Sequence, residues 1–217
     1  MSFFAFLPSH WNTIGEALLV HLKMSLLSIL IAAVLAIPIG VLLTRHEGIA
    51  KFILAIAGII QTIPGLVMLG IGLLLFGLGM LPSVIVLVAY AILPILQNTY
   101  TGIREVDGLY TEAARGIGMT GRQVLFKVEL PLSLPAIITG IRLSVVYIIS
   151  WATLAALIGA GGLGDLIWTG LSCYDTNLIL AGAIPASLLA ILAGLLIDLL
   201  QRAVTPRGLK TGRGAPV

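Results

Sequence analysis

Charge is what this sequence lacks. Only 10% of its 217 residues are Asp, Glu, Lys or Arg, against roughly 25% in an average soluble domain. Nine acidic and twelve basic side chains are too few to cover a core of this size with polar surface, so a chain that is 59% hydrophobic needs lipid as its solvent. The lone cysteine, Cys173, excludes an intrachain disulfide and a cysteine-based zinc site. No Gly-x-x-x-x-Gly-Lys-Ser/Thr run is present, so nothing cradles nucleotide phosphates in the usual way. His10, His21 and His46 lie far apart without a His-Glu-x-x-His pair, which leaves metal-dependent or intramembrane catalysis without a constellation. The expectation is a chain with no catalytic residue, no metal and no cofactor of its own. Its basic residues are dispersed between apolar runs, so the pI near 9.2 reflects membrane orientation and not nucleic acid.

What is present is an all-α membrane protein. Five stretches are long and apolar enough to span, at about 17–43, 52–79, 83–102, 134–158 and 177–201, forming one transmembrane domain over 1–217. Thr44-Arg45-His46-Glu47 ends the first, Met80-Leu81-Pro82-Ser83 is expected as a tight turn, and Arg202 with Pro206 closes the last. Met1 to Glu16 holds no Lys or Arg, unlike the basic start of a secretory signal, so the first apolar run is expected to be retained.

Charge sets the orientation. Arg45, Lys51, Arg104, Arg115, Arg122, Lys127, Arg202, Arg207, Lys210 and Arg213 all fall on one side of a five-span arrangement. The opposite connections, 1–16, 80–82 and 159–176, have no basic residue. The positive-inside rule then predicts the N-terminus outside and the C-terminus in the cytoplasm. Lys23, Arg142 and Asp198 lie within spans, where a charge at mid-depth costs at least roughly 2.5–3.5 kcal/mol. Snorkelling is expected for Lys23 and Asp198. Arg142 is expected either to pair structurally with a carboxylate or carbonyl, or to line a pathway.

Several segments invite two readings. In Gln61-Thr-Ile-Pro64-Gly65 the proline removes a backbone donor and predicts a kink, either as an ordinary transmembrane proline or as a place where Gln61 and freed carbonyls face a water-accessible path. Gly159-Ala-Gly161-Gly162-Leu-Gly164 has dinucleotide-fingerprint spacing but lacks the strand and cytosolic fold that motif needs, so a flexible outer turn is expected. Gly161, Gly162 and Asp165 are candidates for an external gate. Trp11, Trp168 and Tyr174 suit an interfacial aromatic belt. Tyr147 and Trp151 are four apart on one face of the fourth span, placed either to pack helices or to meet a cationic solute, since aromatic faces attract quaternary ammonium.

The longest polar connection, 103–133, predicts two short helices. Asp107 is a cap for the first, Thr120 and Gln123 form a capping box for the second, Gly116 and Gly118 allow the bend, and Pro131 marks the next boundary. Ala113 and Ala114 leave little bulk between the polar anchors Glu112 and Arg115, while Tyr110, Leu125, Phe126 and Val128 supply apolar faces. The stretch reads either as a bland amphipathic surface loop or as a docking knob.

The spacing of Glu112, Ala113, Ala114, Gly118, Leu130 and Pro131, with Val128 in place of isoleucine, resembles the signature of permeases in binding-protein-dependent ATP-binding-cassette importers. The resemblance covers nearly the whole chain. It implies a type I, methionine-permease-like fold, and it implies that 103–133 is the coupling element received by a separate ATPase subunit, which holds ATP and magnesium. Further partners implied are an extracytoplasmic substrate-binding protein and a second permease, identical or related, across the path. The stretches around Gln61–Gly65, Ala152–Gly164, Leu178–Pro185 and Thr205–Leu209 are similar to the osmoprotectant branch, which carries glycine betaine, carnitine and choline. Methionine-type importers share the size and the loop. A secondary transporter would need intramembrane carboxylates or an internal repeat, and neither is apparent; a non-transporting scaffold would keep the docking loop and show no uptake.

Overall fold

The structure is a computed structural model and describes residues 3–205. Arg207, Lys210, Arg213, Pro206 and the stretch to Leu209 lie outside the described residues. The chain folds as α1 (Phe3–Leu43), α2 (Glu47–Thr62), α3 (Gly65–Phe76), α4 (Met80–Arg104), α5 (Gly108–Gly116), α6 (Gly121–Val124), a π-helical stretch (Leu125–Glu129), α7 (Leu130–Ala155), a 3-10 turn (Ala156–Ile158), α8 (Leu163–Cys173) and α9 (Thr176–Val204). Among the described residues, α1, α4, the continuous run Gly121–Ile158 and α9 are each long and apolar enough to cross a membrane.

The remaining crossing, second in chain order, is broken. α2 and α3 meet at 97°, so the kink expected at Pro64 is a full interruption. Ile63 is pushed out of the helical region by the proline after it, and both Ile63 (ψ 127) and Pro64 (ψ 133) are extended. The bent pair still traverses the bundle. At one end Glu47 lies 3.8 Å from Arg104, and at the other the Gly79 N–H donates to the Ile158 carbonyl at 2.8 Å.

Several boundaries differ from those expected. α1 begins at Phe3 and not Ala17, because its N-terminal half has its own packing partners: Phe6 and Ile14 are buried with Leu163 and Leu166 of α8 and Ala181 and Ala186 of α9. At about 1.5 Å per residue its 41 residues reach roughly 60 Å, twice a hydrocarbon core of about 30 Å. Lys23 therefore sits midway along the helix. Met80–Ser83 is not a turn but the start of α4, where Pro82 is tolerated. The reversal is made by Gly77-Leu78-Gly79, whose glycines hold φ of 83° and 110°, a conformation that side chains resist. Trp168 leaves the belt arrangement: its indole N–H donates inward to the Thr153 carbonyl at 3.1 Å.

Small residues set the helix spacing. Ser28, Ala32, Ala36 and Gly40 recur every fourth residue along the buried face of α1, which packs on α4, and such small-residue rows let backbones approach closely. A Cβ on Gly140 of α7 would lie 2.7 Å from the Pro94 carbonyl oxygen and 3.1 Å from Ile95 Cα of α4. Gly70 has nothing within 4 Å of the same position. Gly140→Ala is therefore expected to lower stability by about 1–3 kcal/mol through overpacking. Gly70→Ala should raise it by about 0.4–1 kcal/mol through the unfolded chain. Thermal unfolding in detergent micelles checks the opposite signs.

Candidate functional site

The break in the second crossing is held by a reciprocal pair of bonds. Pro94 has no N–H, so the Tyr90 carbonyl one turn earlier loses its helical donor; Gln61 supplies one, donating Nε2–H to it at 3.1 Å. In return the Tyr90 hydroxyl donates to the Ile63 carbonyl, which the broken helix leaves open. The carbonyl that the sequence suggested would face a water path is thus met by protein. Nearby, Ser144 donates to Ala91 O at 2.8 Å and Asn98 to Pro94 O at 2.8 Å, keeping backbone oxygens around the second proline engaged.

This stitching creates a cavity. Gln61, Tyr90, Tyr147 and Trp151 line a space of about 300 Å³. Trp151 stacks on Tyr90 with ring centroids 5.1 Å apart and planes 16° from parallel. Gly65 passes beneath it so closely that a Cβ there would lie 1.3 Å from Trp151 Cζ3. Tyr147, one turn away on α7, is 51% exposed. The structure therefore brings Gln61, Tyr147 and Trp151 together, and adds Tyr90. The signal for Tyr90 lay in its position four residues before Pro94, where a proline strips the carbonyl partner. Pro64, exposed, precedes α3 as its N-cap residue and does not line the cavity.

Gly161, Gly162 and Asp165 sit at the charge-poor end. The expected flexible turn has a defined course: Gly159, Gly161 and Gly162 all have positive φ, and the chain then enters α8, so the connection 159–176 is mostly helical. A Cβ on Gly162 would come within 3.3 Å of His21, whose Nε2 bonds the Ile149 carbonyl at 3.0 Å. Asp165 lies in the first turn of α8, and partial burial holds its carboxyl above the usual range.

At the basic end the elbow stands clear of the bundle. Asp107 accepts from Leu109 N–H at 2.9 Å, and Thr120 and Gln123 exchange both bonds of a capping box. Gly118 turns the chain at φ 86°. α5 packs on α6 and the π stretch, which buries Ala114 and leaves Glu112, Ala113 and Arg115 exposed. Leu109, Tyr110, Ile117 and Phe126 are also exposed. The second short helix is not separate: Leu130 N–H reaches back five residues to Leu125 O, and the ladder runs into α7 with Pro131 in its first turn. Pro131 marks the change from the π stretch to α7, in whose first turn its missing donor is tolerated.

Ion pairs fasten this end. Arg45 reaches the buried Glu129 at 2.5 Å, and Glu47 faces Lys51 and Arg104. Arg142 Nε lies 2.8 Å from Asp198 Oδ1, so Asp198 does not snorkel and the structural pairing expected for Arg142 is present. A larger cavity of about 970 Å³ opens beside them, with Glu105, Asp107, Tyr110, Asp198 and Arg202 in its wall.

Residues 36–209 match the family described as the binding-protein-dependent transport system inner membrane component. The chain belongs to this family. It is 44% identical to the carnitine transport permease protein OpuCB of Listeria monocytogenes over 89% of this chain and 88% of that one. It is also 44% identical to the glycine betaine/carnitine/choline transport system permease protein OpuCB of Bacillus subtilis (strain 168), over 88% of each. In fold it is similar to the MetNI methionine ABC transporter in an inward-facing conformation, with a TM-score of 0.81, 23% identity, and coverage of 92% of this chain and 99% of that one.

The fold of this inner membrane component depends on Gly65 at the cavity. Gly65→Ala is expected to drive the Trp151 ring off Tyr90, with a stability loss of about 1–3 kcal/mol. In a Trp11→Phe, Trp168→Phe background the remaining tryptophan emission should shift to the red; unchanged emission would refute the seating of the ring.

Proposed function

We propose that this permease forms one half of the translocation path of an ATP-driven importer for quaternary-amine osmoprotectants, the class of glycine betaine, carnitine and choline. The observation that carries this reading is the 44% identity, over nearly nine-tenths of each chain, to permeases named for those solutes. The likeness to the methionine transporter speaks to fold alone.

In this reading α5 and α6 are the coupling element. Ala113 is exposed between Glu112 and Arg115, so a partner surface approaches the backbone there. Four large apolar residues exposed on and beside the elbow suit a protein surface better than water. Gly118 sets the bend, and Leu130 and Pro131 carry it into α7. ATP and magnesium belong to the separate ATPase that receives this elbow. A substrate-binding protein meets the opposite end near Gly161, Gly162 and Asp165, and a second permease chain faces this one across the path. The concentration of Arg45, Lys51, Arg104, Arg115, Arg122 and Lys127 around the elbow supports a cytoplasmic location for it, with the N-terminus outside. ATPase closure then switches the path between outward and inward openings.

Ala113→Glu is expected to abolish co-purification with the ATPase and to cut choline uptake in vesicles roughly thirtyfold or more, from the about 2–5 kcal/mol cost of an unpaired charge in an interface. Retained ATPase binding in that variant would refute the docking role. In a Cys173→Ser background, Ala113→Cys should react with an impermeant thiol reagent only in inside-out vesicles; labelling of intact cells would reverse the topology.

A further inference from the structure

The cavity at the helix break has a chemistry that the fold alone does not require. We propose that Tyr90, Tyr147 and Trp151, with Gln61, form a binding site in this permease for a quaternary ammonium group. The assignment rests on the importer reading above and names the part of the solute that the membrane path recognises.

Three observations converge. First, the rings are held in place before any solute arrives. Tyr90 is fixed by its hydroxyl bond to Ile63 O and by stacking on Trp151, and Trp151 is seated over Gly65. Binding therefore orders few side chains. Second, Gln61, Tyr90, Tyr147 and Trp151 bring no formal charge to the cavity, so a cation there is met by aromatic faces and an amide dipole. Cation–π attraction strengthens where water is excluded. Third, two donors are already committed: the Tyr90 hydroxyl hydrogen and a Gln61 amide N–H serve the broken backbone, which leaves the cavity little to offer an anionic group.

The aromatic lining selects the cargo. A primary ammonium is strongly hydrated and carries three donors that each need an acceptor once desolvated, whereas the faces of Tyr90, Tyr147 and Trp151 offer apolar contact and π charge. A quaternary ammonium has no N–H and leaves no donor unpaired. The site therefore favours methylated amines over primary ones, which would exchange full hydration for at most three neutral acceptors, the Gln61 amide oxygen and the two tyrosine hydroxyls. A volume of about 300 Å³ lies at the lower end of the roughly 300–1,000 Å³ of small-molecule sites, suited to a trimethylammonium head. Tyr147, half exposed, marks the open side, toward which the hydroxyl of choline or the carboxylate of betaine points.

The test is choline binding to the purified complex of permeases and ATPase in lipid nanodiscs, without the substrate-binding protein. Labelled choline should be displaced by unlabelled choline. It should not be displaced by 3,3-dimethylbutan-1-ol, its neutral isostere, nor by ethanolamine at the same concentration. Tyr147→Leu and Trp151→Leu should each weaken binding by roughly three- to thirtyfold, and Tyr147→Phe, which keeps the ring, should retain it. Equal competition by the neutral isostere overturns the proposal. Choline uptake that persists with unchanged affinity in both leucine variants overturns the site and leaves the importer reading standing. Failure of the wild-type complex, supplied with its binding protein, to take up any quaternary amine overturns the importer reading and the site with it.

Discussion

Inside a hydrocarbon layer, a backbone carbonyl that loses its helical donor must find another within the protein. This chain places prolines in the interior of four helices and another at the break after α2, so the problem recurs along its length. Around the break the answers are specific. Gln61 repairs what Pro94 removes, Tyr90 satisfies the Ile63 carbonyl left open where the helix breaks, and Gln201 adds a bond to the Pro135 carbonyl at 2.9 Å. Each of these bonds ties two helices together, so the groups that satisfy irregular backbone also help set how the bundle is assembled.

Charge is handled by the same economy. The ion pairs found among the described residues sit toward the end that bears the elbow, joining the α1–α2 connection to the start of α7, α2 to α4, and α7 to α9. Glu129 is buried, and Arg45 gives it a partner at the point where the π stretch passes into α7. The elbow is thereby anchored on one side and bare on the other.

Much of this was legible in the sequence, and the rest was hidden for physical reasons. Local signals worked: Asp107, Thr120 and Gln123 cap as their spacing predicts, because capping depends on a few consecutive residues. Gln61, Tyr147 and Trp151 were readable as polar and aromatic interruptions of apolar spans. Their convergence was not, since it depends on helices distant in sequence. Tyr90 went unseen because its value comes from Pro94 and Ile63 together. The start of α1 and the whole of α8 were missed because hydropathy measures fitness for lipid, while those segments are held by Phe6, Ile14, Leu163 and Leu166 packing on one another. The 97° bend exceeded a kink because two successive residues left the helical region, which one proline does not by itself announce.

From Gly121 to Ile158 the backbone is one uninterrupted rod of 38 residues, roughly 57 Å long at about 1.5 Å per residue. Its near end carries the capping box of the elbow, and Tyr147 and Trp151 ride on its far half. Tyr90 and Gln61 belong to other helices. A tilt imposed at the near end would act as a lever on the far one and carry Trp151 across Tyr90, so the stacking of those two rings is set by the angle between this rod and its neighbours.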